Sequence, residues 1–154
     1  MPAFGSDSAS EDPLVSSNFE VQIENKVNGY FTEVSGLGSE TEIAEHKVMG
    51  SGGLQVVKKV PGRLKWDNIV LKRGITSDLE LWRWRKEVED GNVEGARTNG
   101  SIIMLDQAGS EIARWNFERG WPSKISGPAP KSDGNDIGVE ELTITHEYIE
   151  RVGR

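Results

Sequence analysis

Phe19, Val21 and Ile23 alternate with Glu20, Gln22 and Glu24. Successive side chains on a strand point to opposite faces, so Asn18 to Lys26 predicts a half-buried strand. Asn28-Gly29 follows, the dipeptide best suited to the positive φ angles of a tight hairpin, and Tyr30 to Val34 predicts the return strand. Thr41 to Val48 and Leu54 to Val60 predict two more extended arms, with Gly50-Ser51-Gly52-Gly53 as a flexible tip and Pro61-Gly62 as the closing break. Both arms are strewn with charge, which predicts a hairpin projecting from the body. In Arg63 to Leu71 the apolar parity changes at Asp67-Asn68, which predicts a bulge or bend.

The period then changes. Leu81, Trp84 and Val88 fall on one face of a helix predicted over Ser77 to Asp90, with Leu79 and Trp82 widening it. Ser77 and Glu80 fit a capping box, and Gly91 suits the left-handed position after the last turn. Arg83–Glu87 and Arg85–Glu89 are spaced to offset the acidic end of that helix. Trp82 and Trp84 are two apart, so one packs on a sheet and the other does not. Ile102 to Leu105 is apolar throughout, as in a strand covered on both sides. Asp106 to Gly109 predicts a turn, and Ala113, Trp115 and Phe117 alternate beyond it. Lys124 to Gly138 predicts a loop, and Val139 to Ile149 a final strand bearing Leu142, Ile144 and Tyr148 on one face. The expectation is a mainly β domain of seven or eight strands and one flanking α-helix.

Length and composition narrow the picture. The chain has 154 residues, 18 basic and 25 acidic, for a net charge of −7. That length suits one domain, placed at 18–154 behind a Ser- and Asp-rich mobile arm at 1–17. An acidic chain lacks the clustered cations that sequence-independent nucleic-acid binding needs. With no cysteine, disulfides and thiolate chemistry are excluded. The first basic side chain is Lys26 and the longest apolar run is four residues, so neither a signal peptide nor a membrane anchor is expected.

The motifs that begin like catalytic or cofactor sites do not complete. Gly36-Leu37-Gly38 lacks the third glycine of a dinucleotide fingerprint, and Gly50 to Gly53 lacks the Lys-Ser/Thr ending of a phosphate loop. Asp133 to Gly138 begins like a calcium loop, but Ile137 and Ile144 stand at ligand positions, which favours an Asx-rich turn. His46 and His146 have no metal-spaced partner, and no serine lies in a nucleophile elbow. No catalytic residue, cofactor or metal is expected.

Several segments point to a family. Phe19-Glu20-Val21-Gln22-Ile23, followed by Gly29 to Leu37, resembles the opening of contractile tail tube proteins. Asn68-Ile69-Val70-Leu71-Lys72-Arg73-Gly74-Ile75-Thr76 resembles their strand before the helix, and Leu81-Trp82-Arg83-Trp84 resembles the helix. Trp121 to Lys124 and Glu140 to Glu147 resemble the last loop and strand. The resemblance runs in order over nearly the whole domain. It implies the phage tail tube fold, a β-sandwich or barrel with a flanking helix. It also implies hexameric rings stacked into a tube inside a contractile sheath, capped and seated on a baseplate, with cargo protein or DNA in the lumen. An inter-subunit contact is expected at the hairpin tip, Met49, Gly50, Ser51, Gly52, Gly53 and Leu54. Such a subunit is assembled in the cytoplasm and ends in a phage tail or an injection particle. Six copies at −7 each repel, so closure must draw on backbone pairing, apolar burial and local Lys/Glu complementarity. The competing reading is a monomeric small β-barrel binding module, with an enzyme a distant third.

Overall fold

The computed structural model describes residues 18–128 and 138–153; the arm at 1–17 and Asp133 to Ile137 lie outside the described residues. The strands are β1 (Phe19–Ile23), β2 (Val27–Phe31), β3 (Glu33–Ser35), β4 (Ser39–Met49), β5 (Gln55–Trp66), β6 (Ile69–Gly74), β7 (Thr98–Leu105), β8 (Glu111–Ser126), β9 (Val139–Thr145) and β10 (Tyr148–Val152). Two helices, α1 (Glu80–Glu89) and α2 (Val93–Ala96), sit between β6 and β7. The fold is mainly β with a flanking helix, as the alternation predicts; the second, short helix is an addition.

The main sheet runs β2-β1-β7-β8-β9-β6-β3, with β10 also paired to β8. Its two ends, β2 and β3, are separated in the chain only by Thr32, whose N–H donates to the Lys72 carbonyl of β6 at 2.9 Å. The path therefore closes on itself as a barrel, which removes most free strand edges. β8 serves both halves: its first part pairs with β7 and β10, its second with β9. The core inside is built from alternate strand residues such as Val21, Phe31, Leu71, Ile102, Phe117 and Ile144, each at most 1% exposed. Ile102 and its neighbour Ile103 are both buried, so this part of β7 is covered on both faces.

α1 lies on the barrel through Leu81 and Trp84, both buried. Trp84 also donates its indole N–H to the Ala96 carbonyl at 2.8 Å, which ties α1 to α2. Trp82 is 39% exposed, so the two tryptophans divide as their spacing predicts. A buried ion pair completes the seat: Arg73 Nε lies 2.9 Å from Glu140 Oε1, directly across the β6–β9 pair. Trp82 Nε1 donates to Glu140 Oε2 at 3.0 Å, and the Arg73 guanidinium stacks 4.9 Å over Phe31. One carboxylate thus joins β6, β9 and α1.

Several local expectations are revised. The first hairpin turns at Glu24 to Lys26, with Asn25 in the left-handed region at φ 59°, while Asn28 and Gly29 lie within β2. Gly29 has a different reason to be small: an added Cβ would stand 3.0 Å from Arg73 Nη1. α1 starts three residues after Ser77, because Asp78 Oδ1 accepts the Glu80 N–H at 2.9 Å and Thr76 Oγ1 accepts the Asp78 N–H. Its other end is as expected: Gly91 is at φ 95°, and the Gly91 and Asn92 N–H groups bond the Val88 and Glu87 carbonyls. Arg85–Glu89 forms at 3.6 Å, whereas Glu87 turns to Lys26 at 3.0 Å. Pro61-Gly62 lies inside β5, opposite a bulge between Thr41 and Ile43. The parity change at Asp67-Asn68 is a boundary between β5 and β6, which belong to different sheets. β8 runs on to Ser126, and the last predicted strand is broken at His146-Glu147 into β9 and β10.

That break holds the root of the β4–β5 hairpin. His146 is buried and its Nε2–H donates to the Asp67 carbonyl at 2.9 Å, while Nδ1 is buried with no partner among the described residues. Trp66 packs edge-on against Tyr148, with ring centroids 5.4 Å apart. Burial pushes the His146 pKa down, more than the nearby Asp67 and Tyr148 backbone groups raise it.

Two outcomes follow from this packing. Trp84→Ala removes a buried indole and its hydrogen bond, and is expected to cost about 3–5 kcal/mol in urea unfolding. Trp82→Phe keeps the ring but removes a donor to a charged acceptor, and is expected to cost about 1.5–3 kcal/mol. For His146, a folded pKa below the unfolded value means that protonation favours the unfolded chain. Its stabilising contribution is complete above about pH 6.5 and is lost as pH falls through the depressed folded value. The urea midpoint should drop on acidification from neutrality, and His146→Gln, which keeps an N–H donor without the titration, should flatten that slope.

Candidate functional site

Among the described residues β4 and β5 pair only with each other and form a separate two-stranded sheet. Eleven residues of β4 at a strand rise give an arm about 37 Å long. Nearly every position along both strands is exposed. The exposed residues include Ile43, Met49, Leu54, Val56, Val57, Val60 and Leu64, more large apolar side chains than charge-rich solvated strands ordinarily show. A lone two-stranded hairpin is at best marginally stable in water. Its root is held by Trp66 and His146, and its length has no support from its own barrel.

The predicted contact residues stand together at the tip. Met49 ends β4, Gly50 to Gly53 make the turn, and Leu54 leads into β5; Met49 and Leu54 are 68% and 71% exposed. The Gly50 N–H donates to the Leu54 carbonyl at 2.7 Å and closes the loop. Gly52 and Gly53 both lie in the left-handed region, at φ 79° and 80°, which explains why this turn is glycine. An apolar pair is thereby presented on a tight support.

The hairpin is also electrically distinct. It has five basic residues (Lys47, Lys58, Lys59, Arg63, Lys65) against three acidic (Glu40, Glu42, Glu45), a net +2 in a chain of −7. The remainder therefore stands at −9. The body's charges are extensively paired, as in Arg119 with Glu94 at 2.8 Å and with Glu147 at 2.7 Å. These contacts hold the Glu94 carboxyl below its ordinary range and raise Arg119. No hairpin charge forms an ion pair among the described residues, although Glu40 faces Lys65 and Glu45 faces Lys59 across the strands. Position-by-position reading misses this segregation, which summing charge over 39–66 reveals.

A second concave surface lies on the barrel. β1, β7, β8 and the first turn frame a cleft of about 490 Å3, with Glu24 and Glu118 at its rim and Asn25, Asn28, Asn99 and Asn116 along it. Nothing in the sequence pattern brings these residues together, since they converge only through the β1–β7–β8 pairing. Gly36 is a packing glycine at φ 81°, where an added Cβ would overlap the Asn68 carbonyl. Among the described residues no cluster of three or more His, Cys, Asp or Glu could hold a metal ion. Among the described residues no helix is long and apolar enough to cross a membrane.

Comparison with known proteins agrees with this architecture. Residues 15–150 match the family model of the T4-like virus tail tube protein gp19. A search among curated proteins found no match. Among solved structures, a chain of the PVC sheath–tube complex of an extracellular contractile injection system, in its extended state, is 24% identical with TM-score 0.74, over 90% of each chain. A chain of the anti-feeding prophage cap is 21% identical with TM-score 0.73, again over 90% of each. Hcp1 from Flavobacterium johnsoniae is 14% identical with TM-score 0.54, covering 89% of this chain and 96% of that one. With the family model spanning nearly all of the barrel and its hairpin, the chain belongs to the T4-like virus tail tube protein family, a structural family of tail and contractile injection particles rather than of enzymes.

Proposed function

We propose that this tail tube protein closes into hexameric rings that stack as the inner tube of a contractile injection machine. The projecting β4–β5 hairpin makes the contact between copies. The observation behind this is the hairpin itself: a long, two-sided, exposed arm with an apolar tip and unpaired charge. Burying Met49 and Leu54 against a second copy would add the support that the arm lacks within one subunit. In this reading the tube meets a sheath along its outside, a baseplate at one end and a cap at the other, and holds cargo protein or DNA in its lumen. The chains it matches come from sheath–tube, cap and baseplate assemblies, which supports these partners.

Deleting Gly50 to Gly53 is expected to leave the barrel folded, with unchanged thermal unfolding, because the tip touches nothing in the core. Tubes seen by negative-stain imaging and pelleted by sedimentation should be lost. Normal tubes from the deletion would remove the tip from the assembly contact. A wild-type chain that elutes as a 17.0 kDa monomer at every concentration would favour a monomeric binding module instead.

A further inference from the structure

The cationic arm and the barrel cleft are complementary in charge and shape, and they belong to the same chain. Gly100 lines the cleft, and its lack of a side chain leaves room for the core ring of Phe117. A Cβ on Gly100 would stand 2.6 Å from Phe117 Cζ and 2.9 Å from the Gln22 carbonyl oxygen. Phe117 and Ile23 line the cleft from the core side, each only 1% exposed, and Glu24 and Glu118 line it as exposed carboxylates. Neither carboxylate forms an ion pair among the described residues. Asn99 and Asn116 each use one side-chain oxygen lone pair, toward the Arg119 N–H and the Ser101 hydroxyl, and each oxygen keeps a second. A slender apolar stem ending in a compact cation fits such a surface, and lysine has that shape.

Of the hairpin cations with a partner across the strands, two, Lys47 and Lys58, face no acid; Lys47 has Glu45 two positions away on its own face, and Lys58 has no such neighbour. Lys59 faces Glu45 and Lys65 faces Glu40, but Lys58 faces His46 and has no acid across from it. Val56 and Val60, two positions to either side, share its face and are exposed. Lys58 is thus a cation flanked along its strand by two exposed apolar side chains, opposite in charge to the exposed carboxylates of the cleft. We propose that Lys58 of one copy seats in the Glu24–Glu118 cleft of a second copy, with Val56 and Val60 covering the cleft mouth. This rests on the reading that the hairpin engages another copy, and it names the receiving surface. Arm and cleft are different patches, so the contact is head-to-tail and propagates into a ring or stack, where a self-matching patch would stop at a dimer. It also gives a negatively charged chain a local attraction that offsets its net repulsion.

A charge exchange tests it on the full chain. Lys58→Glu and Glu118→Lys alter exposed groups, so thermal unfolding of each variant should match wild type. Each alone should reduce pelleted tube about tenfold or more, because like charges then meet at the contact. The double variant should recover most of the wild-type yield. Glu118→Lys tubes at wild-type yield, or a double variant no better than either single one, would overturn the pairing. If that happens while the Gly50–Gly53 deletion still abolishes tubes, only the cleft assignment falls and the hairpin contact stands. If the deletion also assembles normally, both fall.

Discussion

The ring of Phe117 sits where two glycines leave room for it, and the barrel depends on that fit. An added Cβ on Gly100 of β7 or on Gly120 of β8 would press into the ring. At this point β8 leaves its partners β7 and β10 and takes up β9, with Arg119 in the left-handed region at φ 53° and a shift of register opposite Thr98 to Gly100. Glycine within a strand marks a sharp bend or a close approach, and here it does both. The bend lets one strand serve both halves of the barrel and brings β9 and β6 round to β3. A side chain at either glycine would displace the ring, flatten β8 and open the core.

The barrel and the hairpin follow different physical rules. The barrel satisfies itself: its edges are closed, its tryptophan indoles on α1 have acceptors, and many of its charges are paired. Glu140 shows how far this goes, since one carboxylate takes both the Arg73 guanidinium and the Trp82 N–H out of water together. Leaving either partner alone there is expensive, so the helix seat is held firmly. The hairpin satisfies almost nothing beyond its own ladder. A chain that pairs most of its polar groups in one part, with a few buried nitrogens such as Arg73 Nη2 and His146 Nδ1 left over, and leaves the other part exposed is divided into a self-contained body and a projecting arm.

How much of this is legible in the sequence depends on the range of the deciding interaction. Period-two and period-3.6 patterns place the strands and α1, because one buried face dictates them. The division of Trp82 and Trp84 follows from helical geometry alone. The failures are local motifs that lost to partners distant in sequence. Asn28-Gly29 reads as a turn, but Gly29 is small because Arg73 fills the space beside it. Ser77 reads as a cap, but Asp78 and Thr76 organise the backbone first. Pro61-Gly62 reads as a terminator, yet an edge strand tolerates proline, and β5 runs through it. The hairpin tip is legible because glycines between charged arms have few other uses. The cleft is not, because residues from β1, β7 and β8 meet only after the barrel has formed.

Closure of the barrel also limits how copies can meet. Strand addition needs free edges, and among the described residues these are the outer sides of β2 and of the three-residue β3, β10, five residues long with Glu150 and Arg151 in it, and the two sides of the hairpin. Short, charged edges are poor templates for pairing. β5 has no N–H at Pro61, so a continuous ladder along that strand is interrupted. Backbone pairing alone therefore gives an incomplete adhesive for this chain. The remainder must come from side chains, and the hairpin is where unpaired charge and exposed apolar surface occur together. In the proposed stacking, that combination would offset the repulsion between copies with a net charge of −7 each. The repulsion is spread over the whole body and is screened beyond about 8 Å at physiological salt, whereas a contact between an arm and a cleft acts at hydrogen-bond range. In the proposed contact a strongly acidic subunit assembles without lowering its overall charge, because its unpaired cations are gathered on the arm proposed to reach a neighbour.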